Sequence, residues 1–528
     1  MKQKLILKEL SRYNIGTFAD IIYRNALLRP NNEAYVYGNT RLTWSQYNDQ
    51  VNRLVNALKK KNVKKGDVLG MLAWNCMDYA YFTGAAMKGG YIASPYNSRL
   101  KASELEYLIN YSGAETLFVG PEFVETINSL KAKLPGVKNY ICLEKETAGM
   151  EFINDLMAAG SDEEPGVEIE EDDPLYIIYT SGTTGVPRGA LYTHRCYLDD
   201  ARTVNVDTKI GQDDKHLQIT PLFHIAGNQH YRNILFIGGC NVIMKTFDPP
   251  AVMKAIQDEK ITYVDFVPTQ LIAMLNNPDF EKYDLSSIKM FWYGGSPMPD
   301  EILKRGVQTF GPIFAQGYGQ SESGPNITHL SRENHNLLNE SPEKQKKLKS
   351  AGLPDIGVHV RIIDDDAKDV GPNEFGEVIV QSKHVMVGYW RKPEDTKTTL
   401  IDGWLHTGDI GCYDEEGYIY LVDRKKDVIK TGGENVYCRE VEDVLNSHPA
   451  VLEGVVIGIP DPYWVEKVHA VVVKRPGVEA TAEDIMNYCK GKMAGYKSPK
   501  SLEFVDAIPK NATGKVLKKE LRAKFQSK

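Results

Sequence analysis

Tyr179-Thr180-Ser181-Gly182-Thr183-Thr184-Gly185-Val186-Pro187-Arg188-Gly189 is the stretch on which the reading of this chain turns. It follows an apolar, β-rich segment, Leu175 to Tyr179, and so reads as a loop leaving a strand. Its glycines let the backbone turn tightly and come close to a bound group. The hydroxyls of Thr180, Ser181, Thr183 and Thr184 supply short donors, and Arg188 adds a permanent cationic fork suited to phosphate oxygens. Amides, hydroxyls and one cation on a flexible loop make an anion site suited to a polyphosphate. The loop is not a Walker loop, because no Gly-Lys-Ser or Gly-Lys-Thr follows.

At 528 residues the chain exceeds one ordinary core and should divide into two or more domains. A hydrophobic content of 42% with 25% charged residues is that of a soluble globular protein. A formal charge of −7 argues against a nucleic-acid partner. The start, Met1 to Leu10, has no signal-peptide pattern, and no later segment approaches a membrane span. Seven scattered cysteines without a CxxC pair predict a reduced, cytoplasmic protein without structural zinc. No HExxH or similar spacing occurs among the histidines, so a metal is expected to arrive with a nucleotide.

Helix and strand patterns alternate: Val51, Leu54, Val55 and Leu58 at helical spacing, then strand-like Val68 to Ala73, helical Ala102 to Tyr111 and strand-like Glu115 to Val119. Such alternation predicts βαβ units around a mostly parallel sheet. The acidic stretch Asp162 to Asp173 reads as a solvated connector. A second alternating block carries strand-like Tyr263 to Val267, Lys289 to Tyr293 and Ile313 to Gln316. From about Val358 the texture changes to strands and tight turns, a smaller β-rich module. A charged connector, Arg424 to Glu434, precedes a compact βα region, so the main boundary is expected near Lys426, with domains 1–425 and 426–528.

Further motifs stand along this frame. Gln316-Gly317-Tyr318-Gly319-Gln320-Ser321-Glu322 follows a strand pattern and offers bare backbone, a ring for stacking on a base and a hard oxygen ligand for Mg²⁺. Tyr293-Gly294-Gly295-Ser296-Pro297 ends a strand pattern with room for a planar ring against the main chain. Gly403-Trp404-Leu405-His406-Thr407-Gly408-Asp409 ends on a carboxylate of the kind that holds ribose hydroxyls. Pro509-Lys510-Asn511-Ala512-Thr513-Gly514-Lys515 puts a lysine on a glycine-bearing loop, able to meet charge on a reacting phosphate.

Taken in order, these elements resemble the adenylate-forming superfamily, and within it the acyl-CoA synthetase branch, over nearly the whole chain from the helix around Val51 to Lys515. The resemblance implies an α/β fold with a large N-terminal domain of two αβ subdomains plus a β-rich subdomain, and a small mobile α+β C-terminal domain. It implies that Thr180, Ser181, Gly182, Thr183, Thr184 and Gly185 hold the β- and γ-phosphates of ATP, with Arg188 where the family usually carries lysine. By the same resemblance Tyr318 and Gly319 meet adenine, Ser321 (threonine in most relatives) the α-phosphate, and Glu322 with Thr180 the Mg²⁺. Gly294, Gly295 and Ser296 line the adenine pocket, and Asp409 with Arg424 holds the ribose. Lys426 matches the hinge and Lys515 the lysine of the adenylation step. Lys430, Gly432, Gly433 and Glu434 match the loop that lines the CoA tunnel, and His224 of Pro221-Leu222-Phe223-His224 gates the acyl pocket. Cys438 stands where many relatives have proline.

The implied reaction is carboxylic acid plus ATP to acyl-AMP and pyrophosphate, then CoA to acyl-CoA and AMP, with a monomer or homodimer as the expected assembly. No carrier domain follows Lys528, which favours free CoA; a free-standing enzyme loading an acid onto a carrier protein is the nearest rival, and an adenylate-binding regulator without chemistry is a further one. The acyl pocket is expected at Asn228, Tyr231, Trp292 and Tyr293. That mixed polar and aromatic lining points to a medium-chain fatty, alicyclic or aromatic acid.

Overall fold

The computed structural model describes residues 16–180, 187–295, 298–510 and 516–526, and it sorts the alternating patterns into sheets. In the first sheet the strands Val68–Leu72, Ile92–Pro95, Thr116–Val119 and Asn139–Cys142 run parallel. Pro174–Thr180 joins them in parallel beside Ile92–Pro95, and Arg188–Thr193 folds back antiparallel on it. The short strand Gly388–Tyr389 closes that edge. A second sheet takes parallel strands Cys240–Ile243, Lys215–Gln218, Tyr263–Phe266, Met290–Gly294 and Phe314–Gln320 in that order, with antiparallel Gly324–Leu330 beyond them. The expected α/β class holds, and buried, branched strands of this kind are what helices covering both faces of a parallel sheet require.

The chain divides into two compact units, Met1–Val360 with Val380–Leu405, and Arg361–Ile379 with His406–Lys528. The second unit contains a sheet of Glu434–Val436, Ile429–Thr431, Val465–Lys474 and Val451–Asp461, with Ser501–Phe504 added in parallel. Its core is formed by Val441, Leu445, Val456, Val468, Val472 and Ile485, from the faces of two helices and from strand positions. No described helix is long and apolar enough to cross a membrane. All seven cysteines are free and buried.

Two segments depart from the sequence reading. The acidic stretch Asp162 to Asp173 is not simply solvated, since its first half straps the helix Trp44–Lys60. Lys88, buried, pairs with Glu164 at 2.6 Å, and Asn48 and Asn52 donate to the same carboxylate. Arg53 and Asn56 bind Asp162, Ser161 and Glu163. A buried ammonium needs such a partner, which composition alone does not reveal. Likewise the connector Arg424 to Glu434 is a tight turn at 425–427 followed by a β-hairpin, with Thr431 opposite Glu434 and Gly432 and Gly433 both at positive φ (59° and 88°). A two-residue hairpin turn of that sense selects glycine at both places.

The helices Trp44–Lys60 and Met77–Gly89 cross where Gly84 removes a side chain. A Cβ there would stand 2.5 Å from both the Tyr47 hydroxyl and Val51. We expect Gly84→Val to destabilise by about 1–3 kcal/mol through overpacking; an unchanged unfolding midpoint in urea denaturation refutes this packing.

Candidate active site

The glycine-rich stretch connects two antiparallel strands, Pro174–Thr180 and Arg188–Thr193, whose register sets Thr180 opposite Arg188. Ser181, Gly182, Thr183, Thr184 and Gly185 lie outside the described residues. The two residues flanking them carry a chemical signature: the buried Thr180 hydroxyl and Arg188 Nε have no hydrogen-bond partner among the described residues. Buried polar atoms are otherwise almost always paired. The Arg188 guanidinium lies 4.5 Å over the Tyr389 ring and 4.0 Å from Asp395. The Tyr389 hydroxyl donates to Glu322 Oε1 at 2.9 Å. Burial and the facing Glu322 carboxylate push the Tyr389 phenol pKa up, so it stays a donor. Arg188, Tyr389 and Glu322 therefore form one chain of contacts at the mouth of the hairpin. Tyr389 was not among the sequence candidates. Its position follows from Gly388–Tyr389 pairing with Ala190 and Leu191, a long-range ladder that no local motif announces.

Glu322 sits in the turn 321–323 between Phe314–Gln320 and Gly324–Leu330. Expected as turn residues, Tyr318 and Gly319 belong instead to the strand, because the ladder with Gly324–Leu330 extends through them. Their glycine neighbours serve close packing: a Cβ on Gly319 would run into the Pro325 carbonyl, and one on Gly317 would meet the Trp292 ring at 2.5 Å. The turn is pinned from three sides. Tyr192 donates its hydroxyl to the Ser321 carbonyl and accepts from the Gly324 amide at 2.9 Å, while the Met386 amide donates to the Glu322 carbonyl at 3.0 Å. Gly294 pairs with Gly317 in the next register, and Gly295 follows at φ 74°; Ser296 lies outside the described residues.

His224 caps the helix Ile225–Ile237, its Nδ1 accepting from the Ala226 amide at 3.3 Å. Burial lowers its pKa, which favours the neutral imidazole that this cap needs. Asn228, one turn on, is buried and accepts from Arg232 Nε at 2.7 Å. Tyr231 and Tyr293, expected in the acyl pocket, have their hydroxyls engaged by other side chains. The Tyr231 hydroxyl bonds Tyr35 at 2.9 Å and Thr83 at 2.8 Å inside the hydrophobic core. Tyr293 bonds His335 at 3.0 Å, whereas Trp292 packs with Ile234, Ala315 and His230. Adjacent residues of a strand face opposite sides of the sheet, so only one of this pair can face the helix carrying Asn228.

In the second unit Asp409 is a strand residue, not the end of a turn, and lies opposite Arg424 in an antiparallel pair. Arg424 Nε meets Asp409 Oδ1 at 2.7 Å and Nη1 donates to the Thr407 carbonyl at 3.1 Å. The Asp409 side chain is 9% exposed, and its carboxylate is held by a cation. Lys426 is exposed in the turn at 425–427, and Lys430, Gly432, Gly433 and Glu434 form the exposed tip region of the following hairpin. Cys438 is fully buried, its thiol donating to the Asp427 carbonyl and its pKa raised by burial, so it is no reactive nucleophile. Lys515 lies outside the described residues; a bridge between Lys510 and Val516 closes the base of its loop.

A parallel-sheet α/β unit with a hydroxyl- and glycine-rich hairpin beside a pinned glutamate, joined in the chain to a smaller α+β unit, defines an adenylate-type nucleotide enzyme. The AMP-binding enzyme family matches residues 22–390 and its C-terminal domain residues 440–515. The chain is 36% identical over 503 residues to a feruloyl-CoA synthase of Amycolatopsis, covering 95% of this chain and 98% of that one. It is 33% identical over 515 residues to a medium/long-chain-fatty-acid–CoA ligase of Mycobacterium tuberculosis, covering 95% and 89%. An anthranilate CoA ligase solved with anthranoyl-AMP superimposes with a TM-score of 0.86 at 28% identity, covering 98% and 99%. The chain belongs to the AMP-binding enzyme family, in the acyl-CoA synthetase branch of the adenylate-forming superfamily, and is an AMP-forming acid–thiol ligase.

Tyr389→Phe keeps the ring under Arg188 but removes the donor to Glu322. Hydrogen bonds to charged groups contribute about 1.5–3 kcal/mol, so pyrophosphate release should fall roughly 10- to 100-fold with little change in melting temperature. Wild-type rates in this variant would show the contact to be idle.

Proposed function

We propose that this ligase activates a medium-chain, alicyclic or aromatic carboxylic acid with ATP and transfers the acyl group to free CoA. The observation that carries the reading is the chain Arg188–Tyr389–Glu322 at the base of the glycine hairpin. It brings a cation and an anchored carboxylate to the loop that the sequence assigns to the phosphates. A hairpin that holds pyrophosphate while a carboxylate attacks needs charge on both sides and little covalent help.

In the first half-reaction one oxygen of the acid attacks the α-phosphorus, the bond to the bridging oxygen breaks, and pyrophosphate leaves. Arg188 and the loop 180–185 bind the leaving group, Ser321 the α-phosphate, and Lys515 the charge that spreads over it. Glu322 and Thr180 are the residues that would hold Mg²⁺: a carboxylate oriented by a phenol and a buried hydroxyl with no described partner suit a hard cation that completes its shell with phosphate and water. When bound, the ion neutralises phosphate charge. Tyr318, Gly319 and Gly294 to Ser296 receive adenine, and Asp409, steadied by Arg424, receives the ribose. In the second half-reaction the CoA sulfur attacks the acyl carbon and AMP leaves. His224 gates the pocket, Lys430, Gly432, Gly433 and Glu434 guide CoA, and rotation at Lys426 separates the two steps.

The test is sequential: a panel of acids with ATP, scored by pyrophosphate, then CoA, scored by thioester. Acyl-adenylate without thioester across the panel, followed by transfer to a carrier protein, replaces the CoA reading with carrier loading. Lys515→Ala should lower pyrophosphate release by about 100- to 1,000-fold, the usual cost of losing one transition-state donor, while nucleotide binding by calorimetry is retained. In Lys426→Pro, adenylation should proceed and thioester formation should slow; equal slowing of both steps would contradict a hinge.

A further inference from the structure

The helix His194–Thr208 continues directly from the strand Arg188–Thr193 and packs against Gly324–Leu330, the strand that leaves the Glu322 turn. Three side chains remote in sequence meet there: Asp207 on the helix, His329 on the strand, and Asp355 just past the short strand Leu353–Pro354. The backbone holds them together, since the Asp355 amide donates to the Ile327 carbonyl at 3.1 Å and the Thr203 hydroxyl to the Ile356 carbonyl at 3.2 Å. His329 Nδ1 lies 2.5 Å from Asp355 Oδ1 and 3.7 Å from Asp207 Oδ2, and one ligand atom of each residue lies within 4.8 Å of the others. The Asp207, His329 and Asp355 side chains are 11%, 18% and 1% exposed, which leaves water a way in from one side.

This trio lacks a positive partner on two counts. Asp207 Oδ2 is wholly buried and has no hydrogen-bond partner among the described residues, although buried oxygens are almost always paired. The Nδ1 proton of His329 does not serve it, being already engaged with Asp355. The second count is charge. Asp200, beside the buried Arg232, and Asp199, 3.5 Å from His384 Nδ1, come from the same helix, and Asp200 and Asp355 both face His384. Four carboxylates therefore stand against Arg232, His329 and His384, and even with both histidines protonated one negative charge is left over. Lys209 and Glu333, both largely exposed, pair with each other in solvent and do not remove it. A buried surplus of this kind calls for a counter-charge.

We propose that Asp207 Oδ2, His329 Nδ1 and Asp355 Oδ1 form a zinc site, with water as the fourth ligand. A divalent ion that displaces the proton between His329 and Asp355, released to solvent, brings the charge of the group to zero. Zinc bonds of about 2.0–2.2 Å set ligand atoms about 3.0–3.5 Å apart, so Asp207 closes on the ion while His329 and Asp355 open slightly. An imidazole ligand favours zinc over magnesium or calcium, which take oxygens. The site is separate from the residues assigned to the nucleotide's magnesium: His329 stands about 17 Å along the strand from Gly324. The bound ion would staple together the helix that follows Arg188 and the strand that follows Glu322. Spacing of cysteines and histidines along the chain is blind to such a set.

The test strips the full chain of metal with EDTA and titrates it with Zn²⁺, Mn²⁺ or Mg²⁺ without ATP, measuring bound metal by elemental mass spectrometry. We expect one zinc per chain, held about 100-fold or more tighter than magnesium. Asp207→Asn and His329→Gln should each weaken zinc by about tenfold or more, whereas Glu322→Gln should keep it. Crystals of the wild type grown with zinc should show its anomalous scattering between Asp207, His329 and Asp355, which locates the ion even where a variant does not fold. Absence of a zinc equivalent in the wild type, an ion located elsewhere, or unchanged zinc affinity in a folded Asp207→Asn overturns the proposal and leaves the ligase reading as it stands.

Discussion

The antiparallel pairing of Pro174–Thr180 with Arg188–Thr193 is the constraint from which the rest of the larger unit's site follows. The ladder sets Thr180 against Arg188 and fixes the two ends of the glycine-rich stretch. The same pair of strands offers an edge to Gly388–Tyr389, which delivers a phenol from almost two hundred residues further along the chain. That phenol bridges Arg188 to Glu322. The cation and the carboxylate are thus aligned by strands outside the glycine-rich stretch.

A second economy appears in the second sheet. Parallel strands buried on both faces leave little room, and the chain relieves it at Gly294, Gly317 and Gly319. Those glycines resemble nucleotide-contact residues in the sequence, and in the fold they are also the places where adjacent strands and the Trp292 ring close up. Both uses need the same missing Cβ. The helix Ile225–Ile237 does the opposite and places amide, guanidinium and phenol groups where a purely structural helix would place leucine. Polar groups inside a protein are costly unless they are paired, and Arg232 meets that demand through Asn228 and Asp200.

Much of the architecture is legible from periodicity. The strands near Val68, Thr116, Tyr263 and Met290 and the helix Ala102–Ser112 lie within a residue or two of the pattern, since a buried parallel strand must be apolar and its neighbouring helix amphipathic, whereas the strand from Phe314 runs on to Gln320. Local motifs singled out Asp409 and Arg424, which a ladder sets opposite each other. For Tyr231 and Tyr293, spacing along a helix or strand shows which residues share a face but not which partners their hydroxyls meet. The acidic strap misled because Lys88, its buried partner, is remote in sequence.

By itself the sequence determined the class of chemistry: hydroxyls, glycines, a glutamate, an aspartate and lysines in a fixed order are enough to specify how a carboxylate is activated. Only the tertiary structure decided which side chains act together. Tyr389 joined Arg188 to Glu322, Tyr231 turned into the core, and Arg232 was buried between Asn228 and Asp200. The physical reason is that reactivity resides in residue type, which is written locally, whereas orientation and desolvation arise from strand pairing and packing between segments far apart in the chain.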